Sequence, residues 1–207
     1  MKGTKDYYNK SAFEWAEKWY ENEMMLPCLK EFVSLFEDRP RILDLCCGAG
    51  YESQRMQNLG GDIVGIDFSE NSIDIAKERN RGIEFYVDNM LNDYSYIGKV
   101  DGITVIAGLI HLENHELSTA FESMSKVLKD DGYTLLVVLD GEGKQNQLSY
   151  LSIDEEEYDR NFVAHTLNEL IEYSKGILEY QREMLPDPED TWKRYLFKKD
   201  TSSNSKT

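Results

Sequence analysis

Residues 41–51 read Arg41-Ile-Leu-Asp-Leu-Cys-Cys-Gly-Ala-Gly-Tyr51, an apolar run of strand length that ends in a glycine-rich turn. Glycine lets the backbone of such a turn approach a ligand closely, because no side chain stands in the way. In open α/β sheets, ligands bind at the carboxyl ends of the strands, where turns of this kind lead into helices. The segment therefore predicts a strand, a ligand-binding turn and a helix. A tight turn without any ligand is the alternative for the glycines taken alone.

Short apolar runs alternate with helical patterns throughout the chain after Pro40, which is typical of a largely parallel sheet. The predicted strands are 42–45, 62–66, 83–87, 102–107 and 133–139, and the predicted helices between them are 52–59, 70–80 and 115–129. Thr166 and Glu169 predict a capping box for one more helix. The runs 177–184 and 192–198 predict a final antiparallel hairpin. We therefore predict an α/β fold with a seven-stranded, mostly parallel sheet, helices on both faces and antiparallel last strands.

The two ends of the chain differ from this pattern. The first forty residues carry two apolar stripes at helical spacing, and Ser11 is the predicted N-cap of the first helix. The last seven residues are small and polar. We predict a helical region at 1–38, the body of a single domain at 39–200 and a disordered tail at 201–207.

Composition limits the function classes. Lys and Arg number 23 against 39 Asp and Glu, a net charge of −16, so a nucleic-acid partner is disfavoured. No apolar run is long enough to cross a membrane, and the amino terminus does not read as a secretory signal. The three cysteines, Cys28, Cys46 and Cys47, have no spacing typical of disulfides or a metal site. We expect a cytoplasmic protein with reduced thiols and no metal, a monomer or a homodimer.

Two acidic residues bear on what the turn binds. Asp67 ends the second predicted strand, close to the roughly 20-residue offset at which an acid meets ribose hydroxyls in nucleotide-binding units. Asp44 precedes the glycines, where it would disfavour the pyrophosphate of a dinucleotide electrostatically. A nucleoside cofactor that places cationic groups near the turn suits both acids.

The segment Asp44-Leu-Cys46-Cys-Gly48-Ala-Gly50 resembles motif I of the class I S-adenosylmethionine-dependent methyltransferases, D/E-x-G-x-G-x-G, with Cys46 in the place of the first glycine. The third glycine of the dinucleotide fingerprint is absent, since Ser53 stands there. The resemblance implies a Rossmann-like fold, S-adenosylmethionine as cofactor and an amino-terminal helical lid.

The resemblance also implies the residues of the cofactor site. Asp67 would bind the ribose, Phe68 would face the adenine, and Asp88 would accept a hydrogen bond from the adenine amino group. An alternative for Asp88 is an acid that simply ends a strand in water. The cofactor-binding residues implied in this way are Asp44, Cys46, Gly48, Gly50, Asp67, Phe68, Asp88, Asn89, Met90, Ala107 and Gly108.

The candidate catalytic residues are His111 and Tyr8. Methyl transfer depends mostly on alignment of the reacting atoms, and a base is needed only where the acceptor carries a proton. His111 follows the fourth predicted strand, where substrate and methyl group should meet, and a purely structural hydrogen-bonding role is its alternative. Tyr8 lies in the predicted lid with Trp15 and Trp19, two residues that core packing explains about as well.

Three functions stay open on the sequence alone: methyl transfer to a small molecule, NAD-dependent oxidation or reduction, and a catalytically silent partner subunit of the same fold. For the first, we expect acceptor specificity in the helix around Tyr8 and in residues 150–165. The acidic and aromatic side chains of 150–165 would suit a cationic acceptor. The alternative is that these acids are solvated surface.

Overall fold

A computed structural model of the chain describes residues 2–202, and a seven-stranded sheet lies at its centre. In chain order the strands are β1 (Arg41–Leu45), β2 (Asp62–Asp67), β3 (Glu84–Val87), β4 (Val100–Ile106), β5 (Leu128–Leu139), β6 (Gly143–Lys144), β7 (Tyr150–Ile153), β8 (Glu156–Asp159), β9 (Val163–Ala164), β10 (Leu178–Glu183) and β11 (Trp192–Lys199). The helices are α1 (Thr4–Tyr20), α2 (Leu26–Val33), α3 (Tyr51–Asn58), α4 (Glu70–Arg79), α5 (Asn114–Val127), α6 (Asn146–Ser149) and α7 (Leu167–Tyr173), with short 3-10 turns at Ser95–Ile97 and Leu109–His111.

The strand order is β10-β11-β5-β4-β1-β2-β3. Strand β11 is antiparallel to both of its neighbours, and β5, β4, β1, β2 and β3 are parallel to one another. The predicted fold class is therefore confirmed. Because the parallel strands share one direction, their carboxyl ends meet at a single edge of the sheet, where the turns after β1, β2, β3 and β4 come together.

The core consists of two layers, one on each face of the sheet. Successive side chains of a strand point to opposite faces, so Ile42 packs with α2, α3 and α4, while Leu43 and Leu45 pack with α5 and α7. All three leucine and isoleucine side chains are fully buried. This two-sided burial explains why the central strands are continuous apolar runs.

The amino-terminal helix begins earlier than predicted. Helix α1 starts at Thr4, with Gly3 as N-cap and the Asp6 carboxylate accepting a hydrogen bond from the Gly3 amide at 3.0 Å. Ser11 lies inside the helix, and its hydroxyl donates to the Tyr7 carbonyl at 2.8 Å. The prediction of Ser11 as the N-cap is therefore wrong. The helix begins at Thr4, where Asp6 at the third helical position caps it.

The boundary between α5 and β5 also differs from the prediction. The helix ends at Val127 and the strand begins at Leu128, so the predicted helix 115–129 is two residues too long and the predicted strand 133–139 starts five residues late. A Cβ atom on Gly132 would lie 2.8 Å from the Asp101 carbonyl oxygen. Gly132 therefore permits close strand packing and does not end a helix.

The segment 140–165, which fits no simple pattern, forms small sheets of its own. Strands β7 and β8 make a hairpin whose turn residues, Asp154 and Glu155, both have positive φ. Strands β6 and β9 pair with each other. Beside β8, the Lys2 amide donates to the Glu157 carbonyl at 3.0 Å, which fixes the start of α1 against the hairpin.

No helix in residues 2–202 is long and apolar enough to span a membrane. Of the predicted tail 201–207, residues 203–207 lie outside the described part of the chain.

Candidate functional site

A cavity of about 660 Å³ lies at the carboxyl ends of the parallel strands, beneath α1. Its volume falls within the roughly 300–1,000 Å³ of pockets that hold small ligands and cofactors. Ten of the residues predicted from the sequence line it: Tyr8, Cys46, Gly48, Asp67, Phe68, Asp88, Asn89, Met90, Ala107 and His111. The structure thus brings most of the predicted site together around one space.

Three predicted residues are not in the cavity wall. Asp44 is 2% exposed, and its carboxylate accepts hydrogen bonds from the Ser53 hydroxyl at 2.5 Å and the Thr104 hydroxyl at 3.0 Å. Burial raises the pKa of Asp44 to about 6. The Asp44 side chain therefore contacts α3 and β4 and does not face the cavity. Gly50 and Gly108 are also absent from the cavity wall.

The glycine turn contains a residue in an unfavourable conformation. Cys46 has a φ of +65°, the left-handed region that its glycine counterpart in motif I would adopt freely. For a non-glycine residue this conformation costs about 1–2 kcal/mol. Ala107, after the neighbouring strand β4, has a φ of +55°. Such strain concentrates at functional sites, and both residues line the cavity.

The Cys46 side chain occupies space that Gly108 leaves free. A Cβ atom on Gly108 would lie 2.8 Å from Cys46 Sγ, 2.9 Å from Cys46 Cβ and 2.9 Å from Val105 Cγ1. The two positions are therefore coupled, because the side chain of Cys46 fits only when residue 108 has no side chain. Gly50 has a comparable structural role, because its Cβ would lie 2.8 Å from Asn80 Nδ2.

We expect Gly108→Ala to lower the free energy of unfolding by about 1–3 kcal/mol through overpacking. In the double variant Cys46→Gly/Gly108→Ala, two of the three close contacts disappear, so part of this loss should be recovered. Chemical denaturation of the four proteins of the cycle measures the coupling. Strictly additive effects of the two substitutions would show that the packing conflict is absent.

Asp67 links the glycine turn to β2. Its carboxylate accepts hydrogen bonds from the backbone amides of Gly48 and Ser69, each at 2.9 Å. Burial raises the pKa of Asp67 to about 6 despite these hydrogen bonds, because its desolvation outweighs them. The carboxylate is fixed by backbone groups on two sides and borders the cavity, a geometry suited to accepting hydroxyl donors from a ligand.

The wall beyond β3 contains Asp88, Asn89 and Met90. Asp88 accepts hydrogen bonds from the Asn92 side chain at 2.7 Å and from the Tyr96 hydroxyl at 2.9 Å. Its carboxylate borders the cavity, and both of its oxygens accept hydrogen bonds from neighbouring side chains. Met90 is buried and contributes an apolar surface.

Tyr8 and His111 form a hydrogen-bonded pair in the wall. The His111 Nδ1 lies 2.6 Å from the Asn161 carbonyl oxygen, which can only accept, so Nδ1 carries the proton and Nε2 is an acceptor. The Tyr8 hydroxyl, 2.9 Å from Nε2, donates to it. Desolvation lowers the pKa of His111 to about 4 and raises that of Tyr8 to about 12, so both are uncharged near neutral pH.

Cavity residues outside the predicted catalytic and cofactor-binding sets include Tyr51, Arg160, Phe162 and Trp192, of which Arg160 and Phe162 belong to the segment 150–165 expected to set acceptor specificity. Tyr51 stacks on Trp19, with ring centroids 6.3 Å apart. Because Tyr51 directly follows Gly50, its position next to the glycine turn could have indicated a place in the site. Arg160 follows β8 and lies beside Tyr8. No local sequence pattern marks it, because its position depends on the β7–β8 hairpin.

The acids expected to line an acceptor site are not in the cavity wall. Asp154 forms an ion pair with Lys10 at 2.7 Å, and Glu156 forms one with Lys2 at 2.7 Å, both on the exposed side of the hairpin. The expectation of a carboxylate lining from this segment is therefore wrong, because the hairpin points these acids away from the cavity.

Residues 42–132 match the family model of a methyltransferase domain. A demethylmenaquinone methyltransferase of Lactococcus lactis subsp. lactis (strain IL1403) is 32% identical over 104 residues, 46% of this chain and 40% of that protein. A ubiquinone biosynthesis O-methyltransferase of Pelagibacter ubique (strain HTCC1062) is 27% identical over 116 residues, 54% of this chain and 48% of that protein. Residues 42–132 therefore carry the methyltransferase domain that motif I predicts.

A solved structure, the DhpI complex with S-adenosylhomocysteine (SAH), extends the similarity of fold beyond the region of sequence match. It superposes with a TM-score of 0.76 at 15% identity, covering 96% of each chain. The predicted methyltransferase family and its Rossmann-like fold are confirmed. The regions matched in sequence span less than half the length of either relative named above. We therefore propose the residues that hold the cofactor and the acceptor from the geometry of the cavity.

Proposed function

We propose that this protein transfers the methyl group of S-adenosylmethionine to a small-molecule acceptor. One observation carries the proposal: eight of the eleven predicted cofactor residues and the Tyr8–His111 pair line a single cavity. A transferase needs this arrangement, because the donor and the acceptor atom must meet in line at about 3 Å.

The residues of the wall fit the cofactor. Asp67 would accept the two ribose hydroxyls, Asp88 would accept a hydrogen bond from the adenine amino group, and Met90 would contact the ring. Gly48 has no side chain between its backbone and the cavity, so the methionine portion can lie against the turn. When bound, the cofactor supplies a methyl group activated by its sulfonium leaving group.

Helix α1 acts as a lid in this proposal. It contributes Tyr8, Trp15 and Trp19 to the cavity wall, and residues Tyr7, Ala12 and Ala16 of the same helix are buried. Its ion pair to α4, Lys5 with Glu70, joins two side chains that are each about half exposed. Exposed pairs of this kind contribute about 0–1 kcal/mol each, so this ion pair adds little to the attachment of the helix.

The Tyr8–His111 pair would align the acceptor and accept its proton. The Tyr8 oxygen can receive a proton from the acceptor while its own proton passes to His111 Nε2, and the Asn161 carbonyl holds the imidazole in place. A histidine with a pKa of about 4 is a weak base. The pair therefore suits an acidic acceptor group, such as a phenol or an enol, better than an aliphatic alcohol.

The test is a methyl-transfer assay with S-adenosylmethionine labelled in its methyl group and a panel of acceptors. The aromatic wall and the names of the two relatives argue for including quinols and simple phenols. Label should appear in at least one acceptor, and Asp67→Ala should reduce that transfer. NAD turnover in place of methyl transfer would favour an oxidoreductase. SAH binding without transfer to any acceptor would favour a catalytically silent subunit.

The affinity for SAH is expected to fall as the pH drops below about 6. Asp67 has a pKa of about 6 in the free protein, raised from 3.8. It is therefore protonated below that pH and then has one acceptor fewer for the ribose hydroxyls. Calorimetric titrations between pH 5 and 8 should show constant affinity at the upper end and a loss approaching tenfold per pH unit below 6. In Asp67→Asn the slope should disappear; an equal slope there would assign the titration to another group.

A further inference from the structure

Arg160 is a buried cation in the cavity wall without a carboxylate partner among residues 2–202. The residue is 6% exposed. Its guanidinium donates to the Leu148 carbonyl at 2.9 Å and makes a long contact of 3.4 Å with the Tyr8 hydroxyl. Its Nε has no hydrogen-bond partner in the described part of the chain. Since a guanidinium has five N–H donors, most of its capacity is unused.

The other charged side chains of the wall have partners. Glu52 pairs with Arg55 at 3.1 Å, and Asp190 pairs with Arg194 at 2.7 Å. Asp67 accepts from backbone amides, as described above. Of the two arginines in the wall among the described residues, Arg194 is ion-paired and Arg160 has no carboxylate partner. Burial of an unpaired charge is costly, so its partner is expected to come from outside the chain.

Arg160 lies on the acceptor side of the cavity. Its guanidinium carbon is 4.8 Å from the centroid of the Tyr7 ring and 4.7 Å from that of Phe162, so it packs against two aromatic rings. It neighbours the Tyr8–His111 pair, which the proposed function assigns to the acceptor. A cationic acceptor would be repelled here.

We propose that Arg160 binds an anionic oxygen group, a carboxylate or an oxyacid of phosphorus, on a small aromatic acceptor. The planar fork of a guanidinium matches two oxygens of such a group and binds them with paired, charge-assisted hydrogen bonds. The aromatic rings of Tyr8 and Phe162 provide the surface for the rest of the molecule. That the bound anion is also the methyl acceptor rests on the proposed function, whereas the presence of an anion site does not.

The test uses four probes of similar size: benzoate, phenylphosphonate, neutral benzamide and cationic benzylamine. Each is titrated at pH 7.5 into the full-length protein, with and without SAH, and binding is followed by tryptophan fluorescence, because Trp15 and Trp19 line the cavity. Wild type should bind benzoate or phenylphosphonate at least tenfold more tightly than benzamide. The preferred anion identifies the oxygen group.

Arg160→Met should weaken binding of the preferred anion at least tenfold and change that of benzamide less than twofold. Arg160→Lys should restore part of the loss. Arg182→Met, which removes a half-exposed arginine of β10 that does not line the cavity, should behave as wild type. Circular dichroism and thermal denaturation show whether each variant folds.

Equal binding of benzoate, phenylphosphonate and benzamide to wild type, or tighter binding of benzylamine, would overturn the inference, and this comparison needs no variant. A protein that binds SAH and none of the anions would retain the proposed function and lose the anion site. A protein that binds an anion through Arg160 and does not bind SAH would retain the anion site and lose the proposed function.

Discussion

Tyr8→Phe is expected to lower kcat by about 10²-fold or more, within the range for loss of a group that handles a proton. The substitution removes only the hydroxyl that donates to His111 Nε2 at 2.9 Å, and it keeps the ring that packs against Trp15 and Phe68. Affinity for SAH should stay within about twofold, because Tyr8 lies on the acceptor side. The measurement is steady-state kinetics with an acceptor found in the labelled-methyl assay.

Tyr150→Phe is the matched control. Tyr150 is 52% exposed, lies outside the cavity wall and loses the same hydroxyl, so its variant should keep wild-type kcat. If Tyr8→Phe also keeps kcat within twofold of wild type, the acceptor proton does not pass through this pair.

Asp67→Ala is expected to weaken SAH binding by about 1–3 kcal/mol, roughly 5- to 150-fold, because buried ribose hydroxyls would lose their acceptor. The variant also removes the acceptor of the Gly48 amide, which loosens the glycine turn that faces the cofactor. Calorimetry with SAH measures the change.

Asp62→Ala provides the comparison for Asp67→Ala. Asp62 begins the same strand, is partly exposed and pairs with Arg41 at 3.1 Å, away from the cavity. Its variant should bind SAH as wild type does. Unchanged affinity in Asp67→Ala would remove Asp67 from the cofactor site.

The sequence was sufficient for the parts of the fold that local chemistry determines. The apolar run before Gly48 and the turn after it predicted β1 and α3, since burial on both faces requires a continuous apolar strand. The capping box at Thr166 and Glu169 is present, with the Glu169 amide donating to the Thr166 hydroxyl at 3.2 Å. Asp67 was found by its offset from the glycines, and it faces the cavity as expected.

Features that depend on contacts distant in sequence were missed. Arg160 reaches the cavity because its amide donates to the Ser149 carbonyl and the adjoining hairpin pairs with Lys2, contacts that no local pattern encodes. Asp44 was placed at the ligand because motif I includes it. Its side chain instead points to the α3 side of the sheet, where the hydroxyls of Ser53 and Thr104 bind it.

The claim that the cavity beneath α1 holds S-adenosylmethionine can be tested by calorimetric titration of the wild-type protein with SAH, with NAD as the competing ligand. We predict saturable binding of SAH at one site per chain and no measurable binding of NAD under the same conditions. Binding of NAD with no heat from SAH would contradict the claim.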